Sequence, residues 1–308
     1  MKIFLKRFNR ISKTLQSVIT TILDDPSNKN EIGFRIFVSV LWQCYKRIIP
    51  FPLVLPLDNG LSYIAEPSAG NSTGVIYTRI YESEYIIFLR RYLEKGGVIV
   101  DVGAHTGLYT LLLAPAFSRA VLFEPDPETF HLLRRNLSIN ALDCATAILA
   151  AASDKSGEGQ LKVTGKYSGT TRLTTLNERS DNTNDHKIPV QLLKIDQVLA
   201  QLDIQRINFI KIDTEGHELY VLKGAAQILK QSRGALVLYE NSSFESVCDF
   251  FEELGWKVFG IDRDSNPIFD KVRLRSAYNL FACGPENIFF SMIPESMPHI
   301  PTETVEML

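Results

Sequence analysis

Short apolar runs alternate with amphipathic stretches from Tyr81 onward. The runs in "VIVDVG", "AVLFE", "TAILAAA", "INFIKID", "ALVLYE" and "KVFGI" lack polar alternation, the pattern of strands covered on both faces. Between them, "YESEYIIFLRRYLEKGG" places Tyr85, Phe88, Leu89, Tyr92 and Leu93 on one helical face and stops at Gly96-Gly97. "LYTLLLAPAF", "PETFHLLRRNLSIN", "HELYVLKGAAQILK" and "FESVCDFFEELG" read as further helices. Buried strands separated by such helices predict an α/β fold: a doubly wound, Rossmann-like sheet of seven strands, mostly parallel. A last apolar run, "ENIFFS", is expected to close the sheet as an antiparallel edge.

Upstream of Tyr81 the texture differs. Residues 1–49 read as helical and basic, interrupted by "DDPSNKN"; residues 50–80, with Pro50, Pro52, Pro56, Asn59-Gly60 and "SAGNSTG", read as short strands and turns. The expected organisation is an N-terminal extension (1–80), a main domain (81–295) and a tail (296–308). Within the main domain, the turn-rich interval 164–189 is long for a connection, and predicts a cover over the substrate side. Tyr167, Ser168, Thr170, Thr171 and Arg172 there offer an aromatic face and hydroxyls to a polar acceptor. "LKIDQVLAQLDI", with Asp196 at a helix start, reads as scaffold.

Charge narrows the partners. With 33 basic and 35 acidic residues among 308, no overall field attracts nucleic acid. Cys44, Cys144, Cys248 and Cys283 stand apart without a C-x-x-C pair or a zinc spacing, which suits a reducing, cytoplasmic setting. The first residues carry Lys2, Lys6, Arg7, Arg10 and Lys13 among apolar positions and lack the core and cleavage site of a secretory signal. "IFVSVLWQCY" is too short to span a bilayer, so it is expected to pack on the domain; the other reading is peripheral membrane contact through the N-terminal helix. The sequence leaves the oligomeric state open.

The chemistry gathers at strand ends. After "VIVDV" comes a bend with Gly103, His105 and Gly107, preceded by Asp101. Glycines at a strand-to-helix turn let backbone approach a ligand, and this spacing is not the G-x-G-x-x-G of dinucleotide sites. The next strand ends at Glu124, whose two oxygens suit the two hydroxyls of a ribose. Asp126 and Glu128 are better placed to charge the helix that follows. Asp213 ends another buried strand and is followed by Thr214, Glu215, Gly216, His217 and Glu218; Glu240 ends the strand after that. Glu218 is explained by a helix N-terminus alone.

The order D-x-G-x-H-x-G is similar to the first motif of class I methyltransferases that use S-adenosylmethionine. With "YESE", "VDVGAHTGLYT", "FEPDP", "AAASDKSG", "IKIDTEGHELYVLKGA" and "ELGW", the chain resembles the FkbM methyltransferase family from about Tyr81 to Phe290. The resemblance implies methyl transfer from S-adenosylmethionine to a hydroxyl of a sugar, glycan or secondary metabolite. By position, Asp101, Gly103, Ala104, His105 and Gly107 would line the methionine end, with loop amides at its carboxylate and Asp101 at its ammonium. Glu124 and Pro125 would hold the ribose, and Ser153 and Asp154 would lie near adenine. A hydroxyl must lose its proton, so a general base is expected. His217 has the suitable intrinsic pKa, Asp213 and Glu215 are the other candidates, and Glu240 would orient the hydroxyl or the base. A divalent cation on the clustered acids is left open, as are two other readings: a nicotinamide-dependent oxidoreductase and a nucleoside-binding module without turnover.

Overall fold

The computed structural model describes residues 18–49, 51–164, 171–174 and 185–293, together with 16 and 167. Ahead of the alternating region the chain forms helix α1 (Ile32–Ile48), a hairpin of β1 (Leu53–Pro56) and β2 (Ser62–Ala65), and helices α2 (Gly70–Tyr77) and α3 (Ser83–Tyr92). The alternation then runs through β3 (Gly97–Val102), α4 (Leu108–Leu113), β4 (Phe117–Phe123), α5 (Pro127–Ile139) and β5 (Ala145–Ile148). Strands β6 (Ala151–Ala152), β7 (Gly157–Thr164), β8 (Arg172–Thr174) and β9 (Asp185–Leu193) follow, then α6 (Ile195–Gln201), β10 (Phe209–Ile212), α7 (Glu218–Gly224), α8 (Ala226–Gln231) and β11 (Leu236–Glu240). The chain continues with α9 (Phe244–Glu253), β12 (Lys257–Ile261), β13 (Pro267–Ile268), α10 (Lys271–Ser276) and β14 (Asn279–Cys283).

The main sheet has the order β13-β12-β14-β11-β10-β3-β4-β5. Strands β5, β4, β3, β10 and β11 are parallel, and β14 runs antiparallel to both β11 and β12. Six of these, β3, β4, β5, β10, β11 and β12, are expected strands, and β13 is a two-residue hairpin extension of β12. Side chains alternate between two cores. Ile99, Leu122 and Phe281 face one that also takes Ile22, Trp42, Leu57 and Tyr63 from the N-terminal part of the chain. Val100, Val121 and Ile210 face the other, built with α6 to α9. Among the described residues no helix is long and apolar enough to cross a membrane.

Three expectations need correction. The antiparallel strand is "NLFAC", in the interior of the sheet, whereas "ENIFFS" turns into a 3-10 helix at Phe290–Met292. An inner strand must be buried on both faces, as Leu280–Cys283 is; Ile288 is exposed and Phe289 instead packs on Phe88 and Tyr92. The "SAGNSTG" segment, read as turn, begins helix α2. The interval read as turn-rich carries strands β8 and β9, which join β6 and β7 in a second sheet of order β6-β9-β7-β8. Leu161, Val163, Val190 and Leu192 give it a small core of its own, a strand alternation diluted in the sequence by polar neighbours. Ser168, Thr170 and the expected tail lie outside the described residues, as do Lys2, Lys6, Arg7, Arg10 and Lys13.

Asn136 of α5 and Asn140 just past its end dock the β1–β2 hairpin. Asn136, fully buried, accepts from the Ile64 amide at 2.8 Å and donates to the Thr106 carbonyl at 2.8 Å. Asn140 exchanges hydrogen bonds with both backbone groups of Ser62. Asn136→Ala is therefore expected to leave two buried backbone groups unpaired and to lower stability by about 2–4 kcal/mol. A denaturant midpoint indistinguishable from that of the unaltered protein would remove Asn136 from this role.

Candidate functional site

Strands β3 and β10 are neighbours whose following helices pack on opposite faces, which opens a crevice at their carboxyl ends. The bend after β3 fills the rim of that crevice, with Gly103 at φ +70°, His105 at +51° and Gly107 at +79°. Their needs differ. A Cβ on Gly103 would overlap the backbone carbonyl oxygen of Asp213, so this position is glycine because two strand ends meet there. A Cβ on Gly107 would meet Leu133 at an ordinary 3.5 Å, so only the left-handed φ favours glycine.

His105 holds the same left-handed conformation with a side chain that gains partners on both nitrogens. Nδ1 lies 3.1 Å from the Asn71 amide nitrogen and Nε2 3.3 Å from the Tyr167 carbonyl oxygen. Those partners select the neutral tautomer that accepts at Nδ1 and donates from Nε2. Burial also holds the imidazole below its usual pKa. His105 thus ties α2 to the segment that carries Tyr167.

Loop amides were expected to cradle a carboxylate, and the structure corrects this. The Gly103 and Ala104 amides both donate to the Phe123 carbonyl, and Gly107 donates to Ala104. The His105 amide donates to Glu124 Oε2 at 2.9 Å, while Oε1 accepts from the Asp126 amide at 2.9 Å. Asp126 itself caps α5. Glu124 therefore points at the bend, as expected, and each oxygen keeps a second lone pair. Burial pushes its pKa up to about 8.

The cavity beside this bend measures about 280 Å³. Gly103, Ala104, His105, Glu124 and Pro125 line one part; Asp213, Glu215 and His217 line another. Ala150, Ala151, Ala152, Phe123, Leu161 and Leu173 form an apolar wall, and Thr171 of the expected cover reaches it. Ser153 and Asp154 do not line the cavity. The Ser153 carbonyl packs against Gly224 of α7, where no Cβ would fit, so the preceding alanines take the position expected for Ser153. Asp101 and Gly107 also stop short of the wall. Asp101 Oδ2 accepts from Thr110 at 2.8 Å, and its buried Oδ1 has no hydrogen-bond partner.

Asp213 and Glu215 line the cavity and Glu240 does not, yet carboxylate oxygens of all three lie within 4.8 Å of one another. Burial, then the charges of Asp213, Glu215 and Glu218, raise Glu240 to about 7. Glu215, at φ +54°, is raised by burial and then by Asp213 and Glu218. Glu218 is structural: fully buried, it accepts from the Thr214 and Gly216 amides and from the hydroxyls of Thr214 and Ser242. His217 stays outside the acid group. Its Nε2 lies 3.0 Å from Ser153 Oγ, its ring stacks on Tyr220, and burial lowers its pKa.

The site also holds residues that the sequence reading passed over. Lys211, on the buried strand β10, reaches Asp213 Oδ2 at 2.9 Å and lies 4.9 Å from the Tyr109 ring centroid. Burial alone would lower its pKa, but Asp213, Asp101 and Glu82 together raise it. Glu82, at φ +46°, accepts from the Tyr109 hydroxyl, and burial raises its pKa. Tyr81, Glu82, Tyr109, Lys211, Asn71 and Tyr278 all line the cavity. A lysine inside an apolar strand was the available signal, because a buried ammonium requires carboxylate partners.

A reversed strand order with a glycine bend at the reversal and an acid on the neighbouring strand defines a Rossmann-like cofactor fold of the methyltransferase type. Residues 101–258 match the model of the methyltransferase FkbM domain, and the chain belongs to that family. It is 30% identical over 159 residues to methyltransferase sdnD of Sordaria araneosa, an alignment covering 43% of this chain and 61% of that protein. It is 26% identical over 157 residues to the hexuronic acid methyltransferase AglP of Haloferax volcanii, covering 51% of this chain and 61% of that protein. The chain thus spans about three-fifths of the length of these curated relatives. Among solved structures, an FkbM methyltransferase from Methylobacillus flagellatus KT aligns with TM-score 0.41 and 17% identity, over 61% of this chain and 43% of that one.

Proposed function

We propose that the protein transfers a methyl group from S-adenosylmethionine to a hydroxyl of a sugar or similarly polar small molecule. The carrying observation is one cavity lined both by Glu124 beside the glycine bend and by Asp213 and Glu215. The residues fit the donor: the open lone pairs of Glu124 suit ribose hydroxyls, and the alanine-rich wall suits the flat apolar face of adenine. Glu82, which lines the cavity, supplies negative charge for an ammonium or a sulfonium, with Asp101 buried behind the wall. When bound, the donor provides an electrophilic methyl group. The protein's task is to align the hydroxyl at roughly 3–3.5 Å and to take its proton.

Asp213, fixed by Lys211, orients the hydroxyl, and the Glu215–Glu240 pair accepts the proton. His217 is less suited, since its ring is engaged with Ser153 and Tyr220. A divalent cation on the three acids is disfavoured by the Lys211 ammonium already on Asp213. A sugar acceptor draws support from AglP, named as a hexuronic acid methyltransferase. The family rules against the nicotinamide reading, and the acid group against a module without turnover.

Calorimetric titration is expected to give saturable binding of S-adenosylmethionine and none of NAD; the reverse would end this reading. Glu124→Ala should weaken donor binding at least tenfold, on the order of 1.4 kcal/mol. With hexuronic acids and their glycosides as acceptors, turnover should rise with pH through about 7, where Glu240 loses its proton. Glu240→Gln should flatten that limb, and a chelator should leave turnover unchanged.

A further inference from the structure

Helix α1 carries apolar residues on both faces. Trp42 is buried, donates from Nε1 to Thr73 on α2 at 3.1 Å and stacks on Tyr45. The opposite face presents Phe34, Phe37, Leu41 and Ile48, exposed by 59, 60, 52 and 77%. Their spacing puts all four on one side of the helix, and Phe51, 68% exposed, extends the stripe past its end. Soluble proteins seldom leave so many large apolar side chains together in water.

Charge chooses the occupant. Residues 1–49 hold nine Lys and Arg against three Asp and Glu, in a chain with a net charge of −2. Residues 1–15 contribute five of those cations and no acid. On the helix itself, exposed Arg47 adjoins Ile48. An exposed apolar stripe beside Arg47, in a stretch of sequence with a large excess of cations, matches the interface of a bilayer that contains anionic lipid.

We propose that α1 docks on an anionic lipid surface, with Phe34, Phe37, Leu41 and Ile48 in the acyl boundary and Arg47 at the headgroups. Helix α1 packs on α2, and α2 carries Asn71 of the cavity wall. Docking therefore holds the cavity one helix away from the lipid, where an acceptor carried by a lipid would lie. The inference does not rest on the identity of the methyl donor.

The test is cosedimentation of the full chain with phosphatidylcholine vesicles, with and without phosphatidylglycerol. Binding is expected to the anionic vesicles, to be weakened by salt, and to be slight on phosphatidylcholine alone. The double variant Phe37→Ser, Leu41→Ser should lower affinity at least tenfold, on the order of 1.4 kcal/mol. Arg47→Glu, which leaves the packed face untouched, should lower it by about tenfold. Unchanged thermal melting would establish that both variants fold. No cosedimentation with anionic vesicles, or binding that neither variant alters, overturns the proposal. So does a dimer in analytical ultracentrifugation that the double serine variant dissociates while vesicle binding is absent.

Discussion

Gly103→Ala is expected to destabilise the protein by about 4 kcal/mol or more and to abolish donor binding, while Gly107→Ala loses only about 1–2 kcal/mol. Both glycines sit at left-handed φ, so both substitutions meet the backbone penalty of an L residue there. They differ in what a methyl group would strike. At position 107 it meets the flexible end of Leu133 at normal contact distance. At position 103 it overlaps the Asp213 carbonyl, which is fixed because the Asp213 amide donates to the Val102 carbonyl at 3.1 Å. Relief requires β3 and β10 to part at the point where bend and acid group meet. Thermal unfolding with and without S-adenosylmethionine reads both effects, and equal losses at the two positions would refute the close-approach argument.

Lys211→Met should cost about 3–5 kcal/mol near neutral pH, since removing one partner of a buried ionic group leaves the others uncompensated. Methionine keeps most of the apolar stem and removes the ammonium that lies over the Tyr109 ring, so the loss reports the charge. The pH dependence separates this from packing. In the unaltered protein the raised Lys211 pKa contributes stability that is complete below the unfolded value near 10.4 and is lost as pH climbs through the folded value. Without the ammonium, Glu82 and Asp101, already raised by burial, rise further. The folded state then holds more protons than the unfolded state from about pH 4 upward, so stability falls as pH rises. The deficit of the variant should therefore be smaller at pH 5 than at pH 8. A deficit equal at both would assign the effect to lost contacts.

Much of the site was legible because its parts are local. Gly103, His105 and Glu124 reach the cavity by the rule that a parallel sheet binds ligands where strands end, whereas Gly107 does not, and the fold puts Glu124 on the bend as expected. Asp213, Glu215 and Glu240 converge for the same reason. Ser153 and Asp154 failed because turn composition does not reveal whether a strand end meets the cavity or a helix; the close approach of Gly224 decided that. Lys211 and Glu82 went unnoticed because neither belongs to a glycine or acid motif, and their partners lie on three separate strands and helices.

By itself the sequence determined the α/β alternation, the parallel core strands and the bend, since each depends on periodicity or on backbone preferences within a few residues. Tertiary structure alone decided that "NLFAC" and not "ENIFFS" enters the sheet, that the polar interval pairs as a second sheet, and that Lys211 at the cavity wall gathers three carboxylates. These choices turn on which distant surfaces meet and on how buried charge is compensated, quantities that no local pattern encodes.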